Sequence, residues 1–214
     1  HRFSLEWSRI EPEDGRWSEE ALRHYREVLE GLRARGMEPI VTIHHYTIPK
    51  WLADRGGWEN GETERRFVRY VQRVVDAYGD IVRWWITFNE PVVQVFKGWL
   101  IGQWPPGRTG DYPRALQVIR HMTRAHVLAY HEIHGRCPGA RVSVAQHCLA
   151  LTPHNPRNPF DWISTRGRDY LFNELFLDAL QTGRLSIPGQ LFERLPFGRT
   201  LDFVGINYYT RDFV

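Results

Sequence analysis

The stretch Trp84-Trp85-Ile86-Thr87-Phe88-Asn89-Glu90-Pro91 decides how the chain is read. Its aromatic and β-branched run predicts a strand buried on both faces. The run ends in an amide, a carboxyl group and a proline, and a proline cannot continue the ladder. Such a strand end delivers Asn89 and Glu90 to the rim of a sheet, where the chemistry of α/β folds sits. Taken alone, Asn-Glu-Pro is first of all a strand-exit turn. The rest of the chain has to supply the case for chemistry.

Working outward, period-two alternation predicts a strand over Arg2–Ser8, with Arg2, Ser4 and Glu6 on one face and Phe3, Leu5 and Trp7 on the other. After a Pro12/Asp14/Gly15 loop, Ser18 offers an N-cap with Glu19 and Glu20 in the first turn. Leu22, Tyr25, Leu29 and Leu32 form a helical stripe that stops at Gly36. Pro39–His45 reads as the next strand. Phe67, Val71, Val74 and Tyr78 mark a second amphipathic helix, closed by Gly79. Beyond Glu90 the sequence predicts a long loop from Pro91 to about Gly110, of a length that in compact domains tends to be functional. A helix opens at Asp111/Pro113 and stops near Gly135. Strand Arg141–Leu149, helix Tyr170–Leu180 and strand Leu201–Tyr209 complete the order.

That order is β-α-β-α-β-α-β-α-β, and such alternation implies a parallel sheet. An open doubly wound sheet would satisfy it, but no Gly-x-Gly-x-x-Gly follows any strand, so nothing supports a dinucleotide site. The polar residues collect at strand C-terminal ends: His45, Asn89, Glu90, Asn207 and Tyr209. In a (β/α)8 barrel those ends converge on one mouth. The expected fold class is therefore α/β, an incomplete (β/α)8 TIM barrel with about five strands and four helices, residues 1–214 forming one partial domain.

Composition narrows the classes further. The 214 residues carry a net charge of +3 with Arg and Glu mixed throughout, and no basic face suggests a nucleic-acid partner. No apolar run reaches membrane-spanning length. Cys137 and Cys148 give no disulfide framework and fit a reducing, cytoplasmic setting. The 9 Trp, 9 Tyr and 11 Phe suit both a large core and stacking on flat ligands such as sugar rings. The chain starts at His1 inside a strand-like run and stops just after another, as expected of an internal piece of a longer protein.

Four blocks resemble glycoside hydrolase family 1, the β-glucosidase-type retaining enzymes. They are Arg2-Phe-Ser-Leu-Glu-Trp-Ser-Arg-Ile10, Val41-Thr-Ile-His-His45 with Pro49 following, Thr87-Phe-Asn-Glu-Pro91, and Phe203-Val-Gly-Ile-Asn-Tyr-Tyr209. Gly98–Gly107 also looks like the segment that follows Asn-Glu-Pro in that family. The resemblance implies a span from barrel strand 2 to strand 6, without the strand that carries the nucleophilic Glu.

On that resemblance Glu90 takes the acid/base role in a two-carboxylate double displacement on terminal β-linked sugars. The role needs two carboxyl groups about 5–5.5 Å apart, one protonating the leaving oxygen and later activating water. Asn89 is implied to bind the sugar 2-OH and His45 a sugar hydroxyl. Arg2, Asn207 and Tyr209 match residues that border the nucleophile, although Arg2 would also serve as an ion-pair partner of Glu6. His44 and His45 are adjacent on a strand and face opposite ways, so they form no chelating pair. His131 and His134, at i and i+3, have a spacing that can hold a metal, but no carboxylate or Cys completes the set. The resemblance implies no metal, no cofactor, and a small β-glycoside or oligosaccharide as partner.

The sequence departs from the family pattern at Tyr46-Thr47, where many members have Trp-Asp, and at Val92, where many have a Trp that stacks on the leaving group. Trp51, Trp58, Trp99 and Trp104 are candidates for stacking or for rim packing. Two other readings are a non-catalytic sugar-binding barrel, and a related barrel glycosidase that cleaves within polysaccharides and shares Asn-Glu-Pro, against which the match at Asn207-Tyr208-Tyr209 argues. The 214-residue piece by itself is expected to be inactive.

Overall fold

A computed structural model describes residues 1–187, 189 and 191–214. Its main sheet has five parallel strands in the order β1 (Arg2–Ser4), β2 (Ile40–His44), β3 (Trp84–Asn89), β4 (Arg141–Thr152) and β7 (Gly205–Phe213). Each strand pairs with the one that follows it around the sheet. Helices fill the crossovers, as parallel pairing requires. The arrangement is the curled half of a (β/α)8 barrel. No helix among the described residues is long and apolar enough to cross a membrane.

The helices form where the sequence pattern asks for them. In α2 (Glu19–Ala34), Ser18 Oγ accepts a hydrogen bond from the Ala21 amide at 3.1 Å, and Leu22, Tyr25 and Leu29 face the core. A cap of this kind contributes on the order of 1 kcal/mol. Helix α4 (Glu62–Tyr78) buries Phe67, Tyr70, Val71, Val74 and Tyr78 on one stripe. The 25-residue α6 (Tyr112–Arg136) starts at Asp111, whose carboxylate accepts from the Arg114 amide. Trp7, Phe67 and Tyr70 pack together between sheet and helices, with the Trp7 and Tyr70 rings stacked at 4.8 Å.

Several expected boundaries move. The first strand ends at Ser4, because Glu6 caps a short helix α1 (Trp7–Ile10) through bonds from the Ser8 amide and hydroxyl. Glu6 also accepts from Thr47 and is not a partner of Arg2. The stretch after Glu90 is not a loop throughout. Pro91–Val95 is helix α5, and a π turn continues it to Leu100. Pro91 lacks the amide hydrogen that a first helical residue would leave unpaired, and burial of Val93, Val95 and Trp99 outweighs the weak helix propensity of the valines. A short helix α3 (Lys50–Ala53) follows β2. The fourth crossover holds α7 (Pro159–Asp169), a π turn (Tyr170–Glu174) and α8 (Leu175–Thr182), where only the second half was expected.

An antiparallel pair, β5 (Arg184–Ile187) with β6 (Leu191–Arg194), precedes the last strand, in a stretch where the sequence predicts no element. Arg120 and Arg124 of α6 hold its Glu193 at 2.5 and 2.9 Å. Asp202 then fixes the approach to β7: its carboxylate accepts from Tyr130 at 2.7 Å, the Val142 amide at 2.7 Å and His134 at 2.9 Å. Burial alone would raise the Asp202 pKa, but these donors hold it below the usual carboxylate range. Gly205 lets β7 pass close to β4, since a Cβ there would lie 2.9 Å from the Val144 carbonyl oxygen.

Candidate active site

A bulge in β3 aims the site. Ile86 pairs with Ser143 and Asn89 with Ala145, so three steps on β3 match two on β4. Thr87 and Phe88 consequently both face the helices. Thr87 bonds His126 of α6 at 2.6 Å, and Phe88 stacks on Phe67 of α4 at 4.7 Å. Asn89 is turned to the inner face, where Arg2 reaches it. Bulges commonly re-aim side chains next to active sites.

Glu90 follows in a left-handed conformation, φ 46° and ψ 58°, with its amide still bonded to the Ala145 carbonyl at 2.7 Å. A residue before proline is already disfavoured in the right-handed helical region. A left-handed glutamate costs further strain of order 1 kcal/mol or more, which the surrounding structure must hold. Glu90 is 5 % exposed, and its carboxylate accepts three hydrogen bonds. Asn207 Nδ2 donates to Oε1 at 2.6 Å, Tyr209 Oη donates to Oε1 at 3.3 Å, and Tyr46 Oη donates to Oε2.

The other sequence-predicted residues surround this carboxylate. Arg2 Nη2 donates to Asn89 Oδ1, Nη1 to Asn207 Oδ1 at 3.1 Å, and Nε to Thr42 Oγ1 at 2.9 Å. Burial lowers the Arg2 pKa, and the nearby Glu90 pulls it back up. Asn207 Nδ2 reaches Asn89 Oδ1 at 3.1 Å as well as Glu90. His45 lies at the edge of the group, half-buried, with Nδ1 2.7 Å from Ser4 Oγ. When the Ser4 hydroxyl donates in that pair, Nε2 carries the imidazole proton. Burial and Arg2 lower the His45 pKa, so the neutral ring is favoured. Its neighbour His44 turns the other way, into the aromatic layer of Trp58, Phe67 and Phe88. Burial brings the His44 pKa down to about 4.

Tyr46 is the contact that the sequence did not reveal as one. Only its departure from the family pattern marked it. Its φ is 72°, so two touching residues, Tyr46 and Glu90, both have left-handed backbones without being glycine. Burial, followed by the proximity of Glu90, pushes the Tyr46 phenol far above its ordinary pKa, so it stays a neutral donor. Trp104 packs on its ring at 4.6 Å.

Beside Tyr46 lies a cavity of about 610 Å³ lined by Ile48, Trp58, Gln94, Trp99 and Trp104 among others. Trp58 and Trp99 are buried, and the Trp51 indole donates to the Glu11 carbonyl at 2.9 Å, which makes these rings packing elements of the rim. Glu59 fastens this rim, accepting from Trp99 at 2.9 Å, Arg108 at 2.6 Å and Arg114 at 3.0 Å. Val92 is half-buried against the core and presents no ring. The helix α6 histidines are engaged elsewhere: His126 with Thr87 and the Thr200 carbonyl, His134 with Asp202, and His131 on the Phe197 ring.

The comparisons agree on one family. The sequence model of glycosyl hydrolase family 1 matches residues 1–214. A β-galactosidase of Pyrococcus woesei is 32 % identical over 89 % of this chain and 42 % of its own length. A chloroplastic galactolipid galactosyltransferase of Arabidopsis thaliana is 30 % identical over 100 % of this chain and 34 % of its own. The solved β-glycosidase from Pyrococcus horikoshii superposes with a TM-score of 0.91 at 34 % identity, covering 98 % of this chain and 48 % of that one. The chain thus spans less than half the length of these relatives.

Proposed function

The chain belongs to glycosyl hydrolase family 1, and from that premise we propose that it carries the acid/base half of a retaining β-glycosidase site. One observation carries this reading: Asn207 joins Asn89 and Glu90 through a single amide, so that separate motifs meet on one carboxylate. The nucleophilic carboxylate is assigned to sequence outside these residues, about 5–5.5 Å from Glu90 as retention requires.

In the first half-reaction Glu90 gives its proton to the glycosidic oxygen. The bond from C1 to that oxygen breaks as the nucleophile bonds to C1, and the leaving alcohol departs neutral. Glu90 is left as a carboxylate, where the donors Asn207, Tyr209 and Tyr46 stabilise its charge. In the second half Glu90 takes a proton from water while the water oxygen bonds to C1 and the nucleophile leaves. Asn89 offers an amide to the sugar 2-OH, and His45 offers Nε2 to a further hydroxyl. Arg2 holds Asn89 and Asn207 in register and adds positive charge near the two carboxylates.

Glu90→Gln in the full-length protein tests this. The expected result is a fall in kcat/KM of about a hundredfold or more on an alkyl β-glycoside, whose leaving group needs protonation, with a far smaller fall on a dinitrophenyl β-glycoside. Equal loss on both substrates would remove Glu90 from the role. A full-length protein that binds sugar without cleaving it would favour the non-catalytic barrel.

A further inference from the structure

We propose that Tyr46 is the positioning residue of the Glu90 carboxyl group, holding it in the orientation from which it serves the leaving oxygen. This rests on the acid/base reading of Glu90 and adds a residue that neither the motifs nor the family resemblance assigns to that task. Three observations carry it.

First, Tyr46 is the sole donor to Glu90 Oε2 among the described residues, while Asn207 and Tyr209 both act on Oε1. A carboxyl group held at one oxygen alone can rotate about its last bond, and a donor on the second oxygen removes that freedom. Second, Tyr46 is itself held. Gln94 Nε2 donates to its carbonyl at 3.0 Å, and Gln94 Oε1 faces buried His44 Nε2 at 3.1 Å. With His44 neutral and Nε2 protonated, both polar ends of the Gln94 amide are satisfied, which fixes the amide's orientation. Trp104 packs on one side of the phenol ring and His45 lies 4.8 Å away on an edge. Third, the left-handed backbone at 46 is strain at a non-glycine residue that does nothing for strand or helix. It turns the side chain from the end of β2 across to β3. Backbone strain of this kind persists where the surroundings over-determine it, and it clusters at functional sites. Other charged and titratable groups near the carboxyl group are Arg2, His45 and Tyr209, and the phenol of Tyr46 stays neutral among them.

The test is Tyr46→Phe in the full-length protein, which removes only the hydroxyl. Expected is a fall in kcat/KM of about tenfold on an alkyl β-glycoside and of less than about twofold on the dinitrophenyl glycoside, with the circular dichroism spectrum of the wild type retained. Equal loss on both substrates, or no loss on either, overturns the proposal. Should that variant not fold, Trp104→Leu loosens the same ring from the loop side and is expected to give the same split at about threefold. Glu90→Gln, measured in parallel, separates the two ideas. A split for Glu90→Gln without one for the Tyr46 variant sinks only the role of Tyr46. Absence of a split for Glu90→Gln sinks the acid/base reading itself.

Discussion

Asn207 sits 117 residues beyond Glu90 and donates its amide to that carboxylate at 2.6 Å. The same nitrogen reaches Asn89 Oδ1 at 3.1 Å, and its own oxygen accepts from Arg2. One side chain on the last strand therefore ties the first and third strands to the carboxyl group on which the proposed chemistry depends.

Asn207→Ala in the full-length protein removes that tie. A hydrogen bond to a charged group is worth about 1.5–3 kcal/mol, so kcat/KM is expected to fall by roughly tenfold to a hundredfold. Steady-state kinetics beside a circular dichroism spectrum checks this. Wild-type kinetics in the variant would mean that Tyr46 and Tyr209 suffice.

His44 and His126 predict the acid side of the stability profile. Burial lowers both from 6.5 to about 4 in the folded state. Between those values the unfolded chain binds protons that the folded chain refuses, so stability falls as pH drops from about 6.5 to 4 and is fully present above that window. Each histidine contributes at most about 3 kcal/mol to the loss. Denaturant midpoints across this range should show the decline. His126→Asn, which gives up the bonds to Thr87 and Thr200, should be weaker at neutral pH and flatter below it. A variant with the wild-type slope would exclude His126 as a source.

Much of this was legible in one dimension, and the limit was physical. The strand ends that carry His45, Asn89, Glu90 and Asn207 announce themselves through apolar runs closed by polar residues, and the helix stripes through their period. The Tyr46 contact does not, because it depends on a backbone sign that no composition or periodicity encodes. The helix after Glu90 was hidden for a different reason. Val92, Val93 and Val95 argue for strand or loop, and only burial against the core makes them helical. The pairing of Arg2 with Glu6 failed because Glu6 is taken up by the cap of α1 and by Thr47.

The 214-residue chain, produced by itself, is expected to associate or to be insoluble. Among the described residues β1 and β7 each pair along one edge only. Ile206, Tyr208 and Phe213 on β7 are 64 %, 59 % and 65 % exposed, and unpaired edges beside apolar side chains recruit other chains. Light scattering after size-exclusion chromatography measures this. A monodisperse monomer would contradict it.

The bulge at Thr87–Phe88 works as a spatial frameshift. Side chains on a strand alternate with a period of two, so a single surplus residue inverts the address of everything downstream. Counted from Trp85, Asn89 belongs with the helix-facing set, yet it reaches Arg2 on the inner face. Deleting one residue there would leave Asn-Glu-Pro readable in the sequence and send Asn89 out of the site. In this strand the spelling of Asn-Glu-Pro and its meaning are separable.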